Sequence, residues 1–136
     1  MFDENSPPNN QTPKLRILLA EDDSSVRRFI EVILRRANYE VISTEDGLIA
    51  MRTLLENQVD LIVADAMMPN MSGYDLCRIV RQNRHYQNIP FVILSGFEND
   101  SVQNQADAYL MKEENIKDTL LKTISNLLTV KESVVS

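Results

Sequence analysis

The chain has 136 residues, of which 43% are apolar and 25% charged, a composition typical of a single soluble globular domain. Its 20 acidic residues outnumber its 14 basic residues, and the net charge of −6 argues against a broad basic face for nucleic acid. A single cysteine and a single histidine exclude an internal disulfide and argue against a zinc site, and no apolar run reaches the roughly 20 residues of a membrane helix. We therefore expect a cytoplasmic protein that binds neither nucleic acid nor membrane.

Strand and helix patterns alternate between two predicted tails. Residues 1–13 hold three of the five prolines and are predicted to be disordered, and residues 130–136 are predicted to fray. Short apolar runs predict strands at residues 14–20, 39–44, 60–64, 89–94 and 108–111. The first helix, capped by Asp23 or Ser24, has an apolar stripe that consists of Val26, Phe29, Ile30, Ile33 and Leu34.

The later helices follow the same pattern. Asp46 is the predicted cap of the second helix, which has Leu55 among its inward residues. A third helix follows the loop at residues 69–73, and a last helix is predicted from about Asn115. Right-handed crossovers between these units give an α/β fold: a doubly wound, five-stranded parallel sheet in the flavodoxin-like order 2-1-3-4-5.

The fourth crossover is shorter than such a fold normally has. Residues 96–106 connect the fourth and fifth strands, whereas parallel connections usually need about a dozen residues or more. We therefore predict a shortened or irregular fourth helix, and with it a remodelled surface for a downstream partner.

Acidic, hydroxyl and basic residues end the predicted strands. Glu21 and Asp22 follow the first strand, Asp65 the third, Ser95 the fourth and Lys112 the fifth. In an open parallel sheet these positions meet at the carboxyl edge, where ligands bind. Three carboxylates there would repel one another unless a divalent cation balanced them. Oxygen ligands indicate a hard ion, which would be Mg²⁺, Mn²⁺ or Ca²⁺; we expect Mg²⁺, with Mn²⁺ as a substitute. Asp65 is the candidate nucleophile, Ser95 a hydrogen-bond donor to a phosphoryl oxygen and Lys112 the neutralising cation.

Four motifs in this order resemble the receiver domains of two-component response regulators. They are ILLAEDD at residues 17–23, DAMMPNMSG at 65–73, LSG at 94–96 and YLMK at 109–112. The resemblance covers residues 14–129, and the absence of a following output pattern suggests a stand-alone receiver.

The resemblance also implies roles for individual residues. Asp65 would accept a phosphoryl group from a histidine kinase or a histidine phosphotransfer protein. Asp22, Asp65 and the backbone carbonyl of Met67 would bind Mg²⁺, with Glu21 helping through water. Ser95 and Tyr109 would form a switch pair that reorients on phosphorylation. Such a protein would be a monomer or weak dimer that signals by docking or by relaying phosphate, and it would not be an enzyme beyond slow hydrolysis of its own phosphate.

One departure from the family pattern leaves alternatives open. Receivers usually have proline after the lysine of the fifth strand, whereas Lys112 is followed by Glu113. We expect a trans bond there, because a cis bond before a residue other than proline costs about 3 kcal/mol. With a trans bond, the Lys112 side chain could point in a different direction from that of the lysine in other receivers. The alternatives are a phosphorylation-independent binding module of the same fold, a flavodoxin-like cofactor binder and an Asp-dependent phosphatase. In a phosphatase, Met67 would stand where a general acid is needed.

Overall fold

The computed structural model describes residues 13–96 and 105–135, with side chains as far as residue 129. The strands are β1 (Arg16–Ala20), β2 (Glu40–Thr44), β3 (Leu61–Asp65), β4 (Phe91–Ser95) and β5 (Ala108–Met111). The helices within the described ranges are α1 (Ser24–Arg36), α2 (Gly47–Glu56), α3 (Gly73–Gln82) and α4 (Ile116–Val135). All five predicted strands are therefore present, and none of their bounds differs from the prediction by more than two residues.

The sheet is parallel throughout, and its order is β2-β1-β3-β4-β5, which confirms the predicted fold class. Ala20 at the end of β1 is level with Ala64 near the end of β3. The chain continues from β1 to β2 on one side of this pair and from β3 to β4 on the other side. The residues that follow β1 and β3 therefore lie side by side at the carboxyl edge. This is the switch point at which open α/β sheets bind ligands.

Two hydrophobic layers enclose the sheet, and alternate residues of each strand enter opposite layers. In β1, Ile17 and Leu19 pack with α1 and α4, whereas Leu18 and Ala20 pack with α2 and α3. All four of these side chains are completely buried. Burial on both faces explains why the central strands have continuous apolar sequences and not alternating ones.

Two residues of the predicted helix stripes are not buried. Phe29 on α1 is 51% exposed and Leu55 on α2 is 61% exposed, so their predicted inward positions are wrong. In α1, the buried residues are Ile30, Ile33 and Leu34, a narrower stripe than the one predicted. Phe29 instead lines a groove between α1 and α4. Helical spacing alone does not reveal how wide a contact the neighbouring elements make.

The helix caps agree with the sequence. Asp23, one of the two candidate caps, accepts a hydrogen bond from the Val26 N–H at its Oδ1 (2.9 Å), and Asp46 caps α2 in the same way. Helix α4 continues to Val135, past residue 129, so fraying of the last residues stays a prediction. The predicted short or irregular fourth helix falls on residues 97–104, which lie outside the described residues. Among the helices that the structure describes, none is long and apolar enough to cross a membrane.

Candidate functional site

Three carboxylates meet at the carboxyl edge of the sheet. Glu21, Asp22 and Asp65 each have an oxygen atom within 4.8 Å of the other two. Glu21 is completely buried and Asp65 is 6% exposed, whereas Asp22 faces solvent. The neighbouring positions of β1 and β3 bring these side chains together, as the sequence predicted.

Lys112 places its ammonium group between two of the carboxylates. Its Nζ lies 2.8 Å from Glu21 Oε1 and 3.1 Å from Asp65 Oδ1. The backbone of Lys112 is held too, because its N–H donates to the Ser95 carbonyl (2.8 Å). Among the described residues there is no cis peptide bond, so the Lys112–Glu113 bond is trans as expected. The absence of proline after Lys112 had left the direction of its side chain open. In the structure the side chain points to the carboxylates although the peptide bond is trans.

Burial and charge repulsion make the Glu21 carboxylate costly to ionise. Burial, together with the nearby charge of Asp65, raises the pKa of Glu21 to about 7, although the contacts with Lys112 and the Asp23 N–H act in the opposite direction. The opposite balance holds for the lysine. Burial alone would lower the pKa of Lys112, but its contacts with Glu21 and Asp65 leave that pKa raised. One lysine therefore does not compensate three clustered carboxylates.

The donor set suits a hard divalent cation. All three side chains offer carboxylate oxygen atoms, which are the ligands that Mg²⁺ prefers. Glu21 Oε1 is buried, and although Lys112 Nζ is close to it, the two atoms are not aligned for a hydrogen bond. A buried oxygen that is not fully satisfied, beside two further carboxylates, fits a site that binds a cation directly or through water.

Replacing Lys112 tests this charge balance through protein stability. We expect Lys112→Met to lower the free energy of unfolding by about 2 kcal/mol in the presence of a chelator, because the buried Glu21 carboxylate loses its cation. Added Mg²⁺ should recover most of that loss, since an ion that binds only the folded state stabilises it. Urea unfolding with chelator and with Mg²⁺ measures both effects.

Lys122→Met, at an exposed position of α4, is the control and should change stability by less than about 0.5 kcal/mol. If Lys112→Met were as stable as this control, the ammonium group of Lys112 would not be needed to compensate the buried Glu21 carboxylate.

The loop after β3 presents Asp65 to the site. The Ala66 N–H donates to the Leu94 carbonyl (2.7 Å), and the Gly73 N–H donates to the Ala66 carbonyl (3.0 Å), so the loop is anchored to β4 and to α3. The Met67 N–H lies 3.4 Å from Asp65 Oδ1, which brings the backbone of Met67 close to the carboxylate. The Met67 side chain is 61% exposed, and the proposed role of its carbonyl as a metal ligand stays a prediction.

The two predicted switch residues lie on adjacent strands. Ser95 is buried at the end of β4, and Tyr109 in β5 is level with Ile93 two residues earlier. The ring of Tyr109 packs against Tyr74 of α3, with a centroid distance of 6.4 Å, and burial raises its pKa. Tyr109 is therefore a partly buried aromatic residue that packs against the core. Its role as a switch stays a prediction.

Several contacts around the site were not predicted from the sequence. Arg27 of α1 donates to the carbonyl groups of Glu21 and Asp22, although its charge in an amphipathic helix would ordinarily indicate a solvent-facing residue. Asn70, which has a positive φ of 69°, donates to Asp46 Oδ2 (3.1 Å) and so links the loop after β3 to the start of α2. The sequence predicted a loop at residues 69–73, but not the partner of the Asn70 side chain.

Comparison with known proteins agrees with this geometry. The family described as the response regulator receiver domain matches residues 17–128. The response regulator ArlR of Staphylococcus saprophyticus is 36% identical over 112 residues, which cover 79% of this chain and 50% of ArlR. Histidine kinase P4 of Formosa agariphila is 32% identical over 120 residues, which cover 85% of this chain and 9% of the kinase. The chain thus spans about half of one relative and a small part of the other.

Solved structures give the same result. The chemotaxis protein CheY4 of Vibrio cholerae superimposes with a TM-score of 0.78 at 28% identity, covering 85% of this chain and 99% of CheY4. The response regulator TrrA of Thermotoga maritima, solved in complex with Mg²⁺ and BeF, has a TM-score of 0.76 at 25% identity, with 83% and 98% coverage. The fold, the carboxyl-edge site and the family match together show that this chain belongs to the receiver domain family of response regulators in two-component signalling.

Proposed function

We propose that this chain accepts a phosphoryl group on Asp65 from a histidine kinase or a histidine phosphotransfer protein, in a reaction that depends on Mg²⁺. The observation that carries the proposal is the position of Lys112 Nζ, which contacts both Asp65 and the buried Glu21. A nucleophilic carboxylate beside a fixed ammonium group and an oxygen-rich cation site is suited to attack on a phosphoryl group.

In the proposed step, an oxygen of the Asp65 carboxylate attacks the phosphorus atom. An acyl phosphate bond forms while the bond from phosphorus to the donor's histidine nitrogen breaks, and the histidine keeps that electron pair. Glu21, Asp22 and Asp65, with the Met67 carbonyl, would hold Mg²⁺, which when bound supplies positive charge for the phosphoryl oxygen atoms. Lys112 neutralises the charge that develops on the transferring group, and Ser95 donates a hydrogen bond to one of its oxygen atoms.

The relatives support both proposed ways of signalling. ArlR is a response regulator, and histidine kinase P4 contains a matching segment within a much longer chain. We infer that this receiver acts either by docking to a partner protein when phosphorylated or by passing its phosphate on. Its action as a stand-alone receiver, its monomeric or weakly dimeric state and its place in the cytoplasm stay predictions. TrrA was solved with Mg²⁺ and BeF, which supports the metal dependence proposed for this chain.

Intact mass after incubation with acetyl phosphate tests the proposal directly. We expect a gain of one phosphoryl group in the presence of Mg²⁺ and no gain when a chelator replaces the metal, because without it the clustered carboxylates repel the donor. Acetyl phosphate serves as the donor because the natural kinase is not needed for a carboxylate to be phosphorylated. If the mass does not change under any condition, a phosphorylation-independent binding module would be the better description of this chain.

A further inference from the structure

Arg27 contacts the backbone of the acidic loop between β1 and α1. It lies on the first turn of α1, and its Nη1 donates to the Glu21 carbonyl (2.7 Å) and lies 3.5 Å from the Asp22 carbonyl. The guanidinium group therefore bridges the main chain of two successive residues whose side chains belong to the cation site. Its side chain is half-buried in this position, unlike that of its neighbour Arg28, which is 75% exposed.

The two acidic residues differ in how their side chains are held. The Glu21 carboxylate contacts Lys112 at one oxygen atom and accepts a hydrogen bond from the Asp23 N–H at the other (3.1 Å). The Asp22 carboxylate is exposed and, within the described part of the chain, has neither a hydrogen bond nor an ion pair. The position of the Asp22 carboxylate therefore depends on the backbone that carries it. Arg27 is the side chain that contacts the carbonyl groups on both sides of the Asp22 N–H, in addition to the contact of Glu21 with the Asp23 N–H.

We propose that Arg27 is a positioning residue of the metal site, which holds the β1–α1 loop so that Asp22 faces Glu21 and Asp65. The inference rests on the proposed function only in taking Mg²⁺ as the metal. Arg27 contacts neither the metal nor the phosphoryl group in this scheme, since its donors are directed at main-chain carbonyl groups. Groups that orient metal ligands commonly change metal affinity by about 10- to 100-fold when they are removed.

The direction of the effect separates positioning from simple electrostatics. Removing a positive charge near a cation site should by itself strengthen the binding of Mg²⁺, because a like charge is lost. Removing a brace from the loop should weaken binding, because Asp22 is then free to leave the site. A weaker affinity in a variant without the Arg27 charge therefore has only the second explanation.

The experiment titrates MgCl₂ into ¹⁵N-labelled protein and follows the backbone amide signals by NMR, which also show that each variant is folded. We expect Arg27→Met to raise the dissociation constant for Mg²⁺ about tenfold. Arg28→Met is the matched control, because it removes the same charge from the next residue of the same helix without touching the loop. Its dissociation constant should stay within about twofold of the wild type or fall slightly, since Arg28 is a solvent-exposed charge. Arg27→Lys, which keeps the charge and can donate to one carbonyl, should lie between Arg27→Met and the wild type.

Three results would overturn the inference. Equal affinities of Arg27→Met and Arg28→Met would show that the loop needs no brace. If Arg27→Met does not fold, Arg27→Gln, which removes the charge and has a shorter side chain, carries the test, and an affinity equal to that of Arg28→Met would have the same meaning. Failure of the wild type itself to bind Mg²⁺ would overturn the proposed function together with this inference. In contrast, either of the first two results, obtained with a wild type that binds Mg²⁺, would overturn this inference alone.

Discussion

Asp65→Asn is expected to gain no phosphoryl group from acetyl phosphate under conditions that fully phosphorylate the wild type. An amide lacks the anionic oxygen that attacks phosphorus, so the acyl phosphate cannot form at this position. The fold should be retained, because asparagine has the same shape and can still accept the hydrogen bond from the Met67 N–H. Burial is the main cause of the raised pKa of Glu21, and the substitution removes only the smaller contribution of the Asp65 charge, so that pKa should fall part of the way towards its ordinary value. Intact mass with Mg²⁺ measures the loss.

Asp60→Asn provides the matched control for this substitution. Asp60 immediately precedes β3, at the opposite edge of the sheet, and its Oδ2 accepts a hydrogen bond from the Arg16 N–H (2.7 Å). Asparagine can accept the same bond, so Asp60→Asn should be phosphorylated at the wild-type rate. A phosphoryl group on the Asp65→Asn protein would place the acceptor elsewhere in the chain and contradict the assignment of Asp65.

Gly73→Ala is expected to destabilise the protein and to disturb the loop that carries Asp65. A Cβ atom at Gly73 would overlap the carbonyl oxygen of Asp65 and approach Ala66 Cα to 3.3 Å. Both neighbours are backbone atoms, so the strain cannot be relieved by rotating a side chain. We expect a loss of about 2 kcal/mol in the free energy of unfolding, as in other overpacked sites.

The same substitution should slow phosphorylation, because the main-chain carbonyl that must move belongs to the residue whose carboxylate is the proposed nucleophile. Misplacing a reacting group by about 1 Å can reduce the rate by about 100-fold, and we expect at least a tenfold reduction. Urea unfolding and the rate of phosphorylation by acetyl phosphate measure the two effects. Gly96→Ala is the control for stability, since a Cβ there would meet no described atom within 4 Å. If the two variants were equally stable, the loop after β3 would be able to move away from the added methyl group without a measurable loss of stability, which would contradict the prediction.

The amino-acid pattern was sufficient to predict the architecture of this domain. Strands buried on both faces have continuous apolar sequences, and helices between them have apolar stripes, so the number and order of elements can be deduced locally. Parallel strands also deliver their last residues to one edge. For this reason the meeting of Glu21, Asp22, Asp65 and Lys112 was predictable without coordinates.

Other features of the site depended on distances that no local pattern contains. The sequence indicated that Lys112 belongs to the site, but the trans bond before Glu113 left its direction open until the ammonium group was seen between two carboxylates. The complete burial of Glu21, and the rise of its pKa to about 7, follow from the packing of β1 between its two neighbours.

The α/β fold, the strand order and the residue types at the carboxyl edge were predictable because they follow from periodicity and from the direction of parallel strands. The exposure of Phe29, the close approach of Gly73 to the Asp65 carbonyl and the contact of Arg27 with the acidic loop were not predictable in this way. Each of these depends on how closely separate elements approach one another. Such distances are set by the packing of the whole domain and not by the residues of any one segment.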